Sequence, residues 1–154
     1  MAKLYIVSSL RSVPHDVISQ YFEGCFIVSD IDVTLGKVQE FVEAVIKSAK
    51  TSKTGIVLLN YCPYVYQYIN NYIRLSRVRE ISPEKFEEII TKYELDPGCV
   101  INEEFVRVFV YTDNYLYEVE FDHDEYCYPY DAFFDWLHNL HEATLEIADV
   151  IMQK

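Results

Sequence analysis

The first half of the chain alternates short apolar runs with segments in which apolar residues recur at helical spacing. Each run ends in small or polar residues, as a buried strand that enters a loop does. We predict three strands in the segments KLYIVSS (3–9), CFIVSDIDV (25–33) and GIVLLNY (55–61). Strands that alternate with helices in this way favour a parallel sheet with right-handed crossovers.

Three helical patterns follow these strands. Ser12 is a suitable cap for the first helix, with Pro14 in its first turn. The second helix is predicted over about 35–50 and the third over about 63–77. The apolar positions predicted to face inward are Val17, Ile18, Tyr21, Phe22, Val38, Phe41, Val42, Val45, Ala49, Val65, Tyr68, Ile69 and Tyr72.

The second half begins with a helix and continues as a hairpin. SPEK (82–85) places a Ser cap before a Pro at the start of a helix, and the segment 104–121 alternates as two strands do. If Asp113 and Asn114 alone form the turn, one face of the hairpin is entirely apolar and Arg107 lies opposite Glu120 on the other. We therefore expect a two-residue turn.

The chain closes with a helical pattern over about 130–152. Its apolar stripe is expected to pack over the sheet, and it contains Phe133, Leu137, Leu140, Ile147 and Ile151. The predicted fold is a single α/β domain over 1–154: a three-layer, Rossmann-like sheet of three parallel strands plus a C-terminal antiparallel hairpin, with helices on both faces. Residues 1–80 form a βαβαβα half and residues 81–154 an acidic α-ββ-α half.

The two halves differ strongly in charge. Residues 1–80 carry nine Lys/Arg and seven Asp/Glu, whereas residues 81–154 carry four and eighteen, and the net charge is −12. Such a surface repels nucleic acid and anionic membranes and attracts basic proteins. The leading hypothesis is an interaction protein that binds a basic protein surface, or itself, through an acidic surface. Its predicted partner-binding residues are Glu118, Asp122, Asp124, Glu125, Asp131, Asp135, Glu142 and Glu146.

Composition indicates where the protein is located and what kind of organism it comes from. The apolar runs are too short for a membrane span, and the first residues lack a signal-peptide pattern, so we expect a cytoplasmic protein. The four cysteines include no CxxC pair, which favours free thiols. Fourteen Tyr with only four Gly are typical of an AT-rich genome, and we hypothesise a thermophilic archaeon or one of its viruses, in which case the compartment is the host cytoplasm.

The loop after the first strand lies where open α/β sheets bind ligands. Ser8, Ser9 and Arg11 could hold a phosphate or carboxylate there, although the glycines of nucleotide-binding loops are absent from the sequence. The strand and the following Ser-Ser-Leu-Arg resemble the start of nucleoside deoxyribosyltransferase-like proteins, and this resemblance implies a nucleoside pocket. The later segment YCPYVYQYINNY departs from that family, because it has no acidic residue where the nucleophile is expected.

Polar residues after the next two strands extend this candidate site. Asp30 and Asp32 end the second strand, at about the spacing from Ser9 at which Rossmann proteins place a ribose-binding acid. Asn60 ends the third strand. The alternative hypothesis is therefore a nucleotide- or nucleoside-binding enzyme with a pocket at the carboxyl ends of the parallel strands. The other reading of both aspartates is turn formation.

A metal site is the least supported candidate. His123, Cys127, His138 and His141 offer imidazole and thiolate groups near the end of the chain, but their spacing matches no standard zinc pattern. We expect no cofactor and a solvated acidic helix face here instead, because Glu146 and Asp149 continue that face beyond any site.

Overall fold

A computed structural model describes the backbone of residues 3–129 and 131–153, and their side chains except those of 131–134, 136 and 137. In this part of the chain five strands form one mixed sheet in the order β2-β3-β1-β4-β5. The first four strands in this order are parallel, and β5 is antiparallel to β4. The strands are β1 Leu4–Ser8, β2 Phe26–Ser29, β3 Ile56–Asn60, β4 Val106–Thr112 and β5 Tyr115–Val119.

Helices lie on both faces of the sheet, which confirms the predicted three-layer α/β architecture. The helices are α1 His15–Tyr21, α2 Val38–Thr51, α3 Pro63–Ile81, α4 Pro83–Lys92 and α5 Asp131–Met152. Helices α2, α3 and α4 pack on one face, and the short α1 packs on the other. The predicted hairpin joins the sheet because β4 pairs with β1 in the parallel direction.

Alternating side chains of the central strands supply the two hydrophobic layers. Leu4, Ile6 and Leu58 point towards α2 and α3, whereas Val7 and Val57 point towards α1, and all five are fully or almost fully buried. Each such side chain contributes about 1.5–3 kcal/mol of transfer free energy when it is buried. Because both faces of the sheet are covered here, β1 and β3 are continuously apolar in sequence. The expectation that β2 is buried as well is wrong, because β2 lies at the edge of the sheet and Phe26 is 69% exposed.

The hairpin forms with the predicted register. Asp113 and Asn114 have φ values of 51° and 65°, which are the left-handed values of a type I′ turn, and Thr112 pairs with Tyr115. The ladder ends at the pair of Val108 and Val119, so the predicted pair of Arg107 and Glu120 lies one position beyond it. Arg107 instead donates two hydrogen bonds of 2.7 Å to the diagonal neighbour Glu118.

Helix starts follow the sequence prediction in part. Ser82 caps α4, and its hydroxyl accepts a hydrogen bond of 3.3 Å from the Lys85 amide. Ser12 does not cap α1 as predicted, because that helix begins only after Pro14. Tyr21 was expected to face inward but is exposed, since α1 is short and ends at this residue.

Helix α5 departs from the prediction that it packs over the sheet. Three members of its predicted inward stripe, Leu140, Ile147 and Ile151, are exposed, and so are the other described side chains from His138 to Met152 except the half-buried Ala148. Phe133 and Leu137, the remaining members, lie outside the described side chains. For the described side chains of α5, the apolar periodicity was therefore a correct sign of a helix but a wrong sign of packing over the sheet.

Candidate functional site

A buried hydrogen-bond network joins the carboxyl ends of β1, β2 and β3. The Ser8 hydroxyl donates to Asn60 Oδ1 at 2.8 Å, and Asn60 Nδ2 donates to Asp30 Oδ2 at 2.5 Å. The amides of Tyr61 and Cys62 donate to the same carboxylate at 2.7 and 3.4 Å. The network therefore fixes the three loops that leave this edge of the sheet.

Asp30 is the titratable group of this network, and it is almost fully buried. Burial raises the pKa of its carboxyl above the ordinary value of 3.8, although the hydrogen bonds from Tyr61, Asn60 and Cys62 act in the opposite direction. Both of its oxygens accept from donors of the chain itself. The geometry thus assigns Asp30 a positioning role behind the site.

A cavity of about 600 Å³ opens in front of this network, between the loop after β1 and the β4–β5 turn. It is lined by Ser8, Ser9, Leu10, Arg11, Ser12, Pro14, Val110, Tyr111, Thr112, Asp113 and Asn114. Among the described residues, no carboxylate lies within ion-pairing distance of the Arg11 guanidinium. A volume of this size suits a small ligand, and Arg11 is the cationic group that could hold an anionic one.

The predicted ligand residues are only partly brought together. Ser8, Ser9 and Arg11 line the cavity, and Asn60 and Asp30 support Ser8 from behind. Asp32 lies in an exposed turn after β2, outside the cavity lining.

The half of the cavity contributed by 110–114 was missed in the sequence analysis. These residues reach the site because β4 pairs with β1, which aligns Val110 with Ser8. Strand order is set by tertiary packing, so the local sequence pattern could not indicate that β4 lies beside β1. The polar residues Asp113 and Asn114 were predicted to form the hairpin turn but not to line a cavity.

The acidic segment 122–129 folds as a compact loop before α5. The backbones of Asp122 and Cys127 exchange two hydrogen bonds of 2.8 and 3.2 Å, which close the loop as an isolated bridge. One carboxylate oxygen of Asp122 accepts from the amides of Asp124 and Glu125 at 2.9 and 3.0 Å. Asp122 therefore acts as a turn-forming side chain here.

Two side chains of α3 anchor the end of this loop. Asn70 is buried and exchanges two hydrogen bonds of 2.8 Å with the backbone N–H and C=O of Tyr128. The Tyr66 hydroxyl donates to the Pro129 carbonyl at 2.7 Å. Sequence analysis missed both residues, although their spacing of four along a Tyr-rich helix places them on one face.

Arg74 extends the same face by one further turn. Its Nε donates to the Glu125 carbonyl at 3.0 Å, and its guanidinium lies 3.7 Å from the Glu125 carboxylate and 3.4 Å from Cys127 Sγ. Arg74 therefore neutralises part of the acidic loop that it holds in place.

The predicted partner-binding carboxylates differ in how far they are neutralised. Two hydrogen bonds from Arg107 hold the pKa of Glu118 below its ordinary value, and the charge of the Arg107 guanidinium compensates that of the Glu118 carboxylate. Asp131 lies outside the described side chains. We define the acidic surface as the other exposed carboxylates of the loop and α5, of which Glu125 is partly neutralised by Arg74: Asp124, Glu125, Asp135, Glu142, Glu146 and Asp149.

The candidate metal ligands have other contacts. The His123 ring packs against Phe121 with centroids 5.1 Å apart, Cys127 is buried beside Arg74, and His138 Nε2 lies 3.4 Å from Glu142. Over the described residues, no three His, Cys, Asp or Glu side chains are grouped so that they could hold a metal ion. All four cysteines are free thiols.

No protein-family model, no curated protein and no solved structure gave a significant match. Within the described residues, no helix combines the length and the apolar character that crossing a membrane requires.

Proposed function

We propose that the protein is an interaction protein that binds a basic protein surface through the acidic surface. The observation that supports this proposal is the exposure of Asp135, Glu142, Glu146 and Asp149 along one side of α5. At 3.6 residues per turn, these four positions fall within a sector of about 60° of the helix circumference. Their charges therefore add up in one direction.

The acidic loop extends the negative charge of these four carboxylates towards the body of the domain. Asp124 and Glu125 are exposed and precede α5 directly in the chain, and the anchor at Asn70 holds the loop in place. A fixed cluster of like charges attracts a basic partner over distances comparable to the Debye length, about 10 Å at 0.1 M salt.

A lysine-only peptide is a suitable probe, because it offers positive charge without a specific shape. We expect its binding, followed by fluorescence anisotropy of a labelled peptide, to weaken steeply as sodium chloride is added. Neutralising three carboxylates of α5 together should weaken binding about tenfold, since each exposed pair contributes about 0.2–1 kcal/mol. This variant combines Asp135→Asn, Glu142→Gln and Glu146→Gln.

The matched control removes the same number of charges from exposed positions of α4 and combines Glu84→Gln, Glu87→Gln and Glu88→Gln. It should bind the peptide almost as tightly as the wild-type chain. Equal loss in both variants would mean that net charge alone attracts the peptide. That result, or binding that salt leaves unchanged, contradicts the proposal.

A second candidate function rests on the cavity at the carboxyl ends of β1 and β4. Its position, its volume and the guanidinium of Arg11 support a nucleotide- or nucleoside-binding enzyme whose ligand carries a phosphate. Tyr111 offers an aromatic ring for the apolar part of such a ligand, and the serines offer hydroxyl donors.

Thermal denaturation with nucleoside monophosphates and sugar phosphates tests this candidate. A ligand present at about 100 times its dissociation constant stabilises the folded chain by about 2.7 kcal/mol, which is a readily measured shift in Tm. Arg11→Ala should abolish the shift, whereas Lys53→Ala, an exposed cation in the loop before β3 at the opposite edge of the sheet, should keep it. If millimolar ligand leaves the Tm of the wild-type chain unchanged, this candidate is wrong.

A further inference from the structure

Helix α5 presents an apolar stripe to solvent. Leu140, Ile147 and Ile151 are 53%, 63% and 67% exposed, and they are spaced by seven and four residues. This spacing places the three side chains on one side of the helix. The stripe lies about 150° around the helix from the carboxylates of the acidic surface.

A helix of this composition needs a partner to cover the stripe. Most helical stability in proteins comes from packing of an amphipathic face, and β-branched residues such as Thr144, Ile147 and Val150 lower the intrinsic preference for a helix. The described part of the chain leaves these side chains exposed, so the cover must come from outside it.

We propose that α5 pairs with α5 of a second copy of this chain and that the protein is a homodimer through this helix. Leu140, Thr144, Ile147 and Ile151 follow one another by four, three and four residues, which is the a/d spacing of a helix pair. The 22 residues of α5 extend for about 33 Å, or about three heptads.

The placement of charge favours a second copy over a different protein. With Leu140 and Ile147 at d positions, the carboxylates of Glu142 and Asp149 occupy f positions, the farthest from the seam. Two acidic copies can therefore meet along the stripe while their carboxylates point outwards on both sides.

The flanks of the seam support the same choice. From Leu140 onwards the e and g positions, where charged residues normally select a partner, hold His141, Ala143, Ala148 and Val150, and none of these is acidic. A basic partner would find no complementary charge beside the stripe, whereas an identical apolar stripe matches it by symmetry.

The size of the surface sets the expected affinity. Even along the whole of α5, a strip about 33 Å long and about 10 Å wide presents only about 330 Å² on each copy, which is below the roughly 800 Å² per partner of a standard specific interface, so we expect a weak dimer with a dissociation constant of about 100 μM. The dimer goes beyond the proposed binding of basic partners and does not depend on it, because the two use opposite sides of α5.

Sedimentation equilibrium of the full chain, over protein concentrations from micromolar to hundreds of micromolar, tests the dimer. The wild-type mass should rise from 18.2 kDa towards twice that value. Leu140→Glu places a charge in the seam and should raise the dissociation constant about 100-fold or more. Added sodium chloride should leave dimerisation unchanged or strengthen it, since it screens the repulsion between two acidic copies.

Leu145→Glu is the matched control. Leu145 is 51% exposed on the same helix but lies off the stripe, so this variant should dimerise as the wild-type chain does. A wild-type chain that stays monomeric, or equal effects of the two substitutions, overturns the proposal. Cosedimentation of a monomeric chain with phosphatidylcholine vesicles would also overturn it, and would assign the stripe to a lipid surface. Binding of the lysine-only peptide by the Leu140→Glu monomer separates this test from that of the acidic surface.

Discussion

Replacing Asn70 by alanine should break the contact between α3 and the acidic loop and lower the stability of the folded chain. Asn70 is buried, and its amide makes two hydrogen bonds of 2.8 Å with the N–H and C=O of Tyr128. Alanine leaves both backbone groups without these partners. An unsatisfied buried polar group costs about 1–3 kcal/mol, so we expect a loss of about 2–5 kcal/mol in the free energy of unfolding.

This loss is large enough to measure by urea denaturation and by heat. For a chain of this size, 1 kcal/mol corresponds to about 2–4 °C in Tm, so Asn70→Ala should lower Tm by about 5–15 °C. Asn71→Ala is the control, because Asn71 is the adjacent residue of α3 and is exposed. Both substitutions replace an asparagine of the same helix by alanine, so the change in helix propensity is the same in each. The difference between their free energies of unfolding therefore measures the contribution of the two hydrogen bonds.

Hydrogen exchange gives a local measurement of the same effect. The Tyr128 amide should exchange faster in Asn70→Ala and at the wild-type rate in Asn71→Ala, since only the first substitution removes its acceptor. The reasoning is refuted if the two variants unfold within about 0.5 kcal/mol of each other, the range typical of surface substitutions. Unchanged exchange at Tyr128 would refute it as well.

Three further predictions follow from the contacts of single groups. A double-mutant cycle with Arg107→Ala and Glu118→Ala should give a coupling of about 0.2–1 kcal/mol in urea denaturation, because both side chains are about half exposed. The pKa of the Asp30 carboxyl lies above 3.8 in the folded chain, so between the unfolded and folded pKa values the folded chain binds more protons than the unfolded chain. The contribution of protonated Asp30 to stability is therefore full below the unfolded pKa and is lost as pH rises through the folded pKa. Asp30→Asn should remove this part of the pH dependence of the free energy of unfolding, measured by urea denaturation. Burial raises the pKa of Cys99 to about 11, so iodoacetamide should label this thiol at least about 100-fold more slowly at pH 8 than an ordinary thiol. Mass spectrometry of the labelled peptide measures this rate, and fast labelling would contradict the burial of Cys99.

Local patterns in the sequence were sufficient to predict most of the elements. The continuous apolar runs around Ile6 and Leu58 predicted buried strands because both faces of the sheet are covered. The pair Asp113 and Asn114 predicted the turn because these residue types tolerate positive φ. Each of these inferences depends on the conformational preferences of a few neighbouring residues.

The cavity could be predicted only on one side, since it depends on strand order. Ser8, Ser9 and Arg11 follow a strand in sequence, so their position at a sheet edge could be inferred. The residues 110–114 reach the same edge because β4 pairs with β1 across about 100 residues of chain. Contacts between elements so distant in sequence arise from packing of the whole domain.

Helix α5 shows what periodicity specifies and what it leaves open. An apolar stripe at Leu140, Ile147 and Ile151 requires cover, but the same stripe fits a sheet of its own chain or a helix of another. The positions of the carboxylates narrow this choice, because Glu142 and Asp149 lie opposite the stripe and its flanks from Leu140 onwards hold no carboxylate. A dimer through α5 would then display two acidic faces pointing away from each other. Such an arrangement would let one homodimer engage two basic partners at once, which raises the effective affinity for a multivalent basic surface.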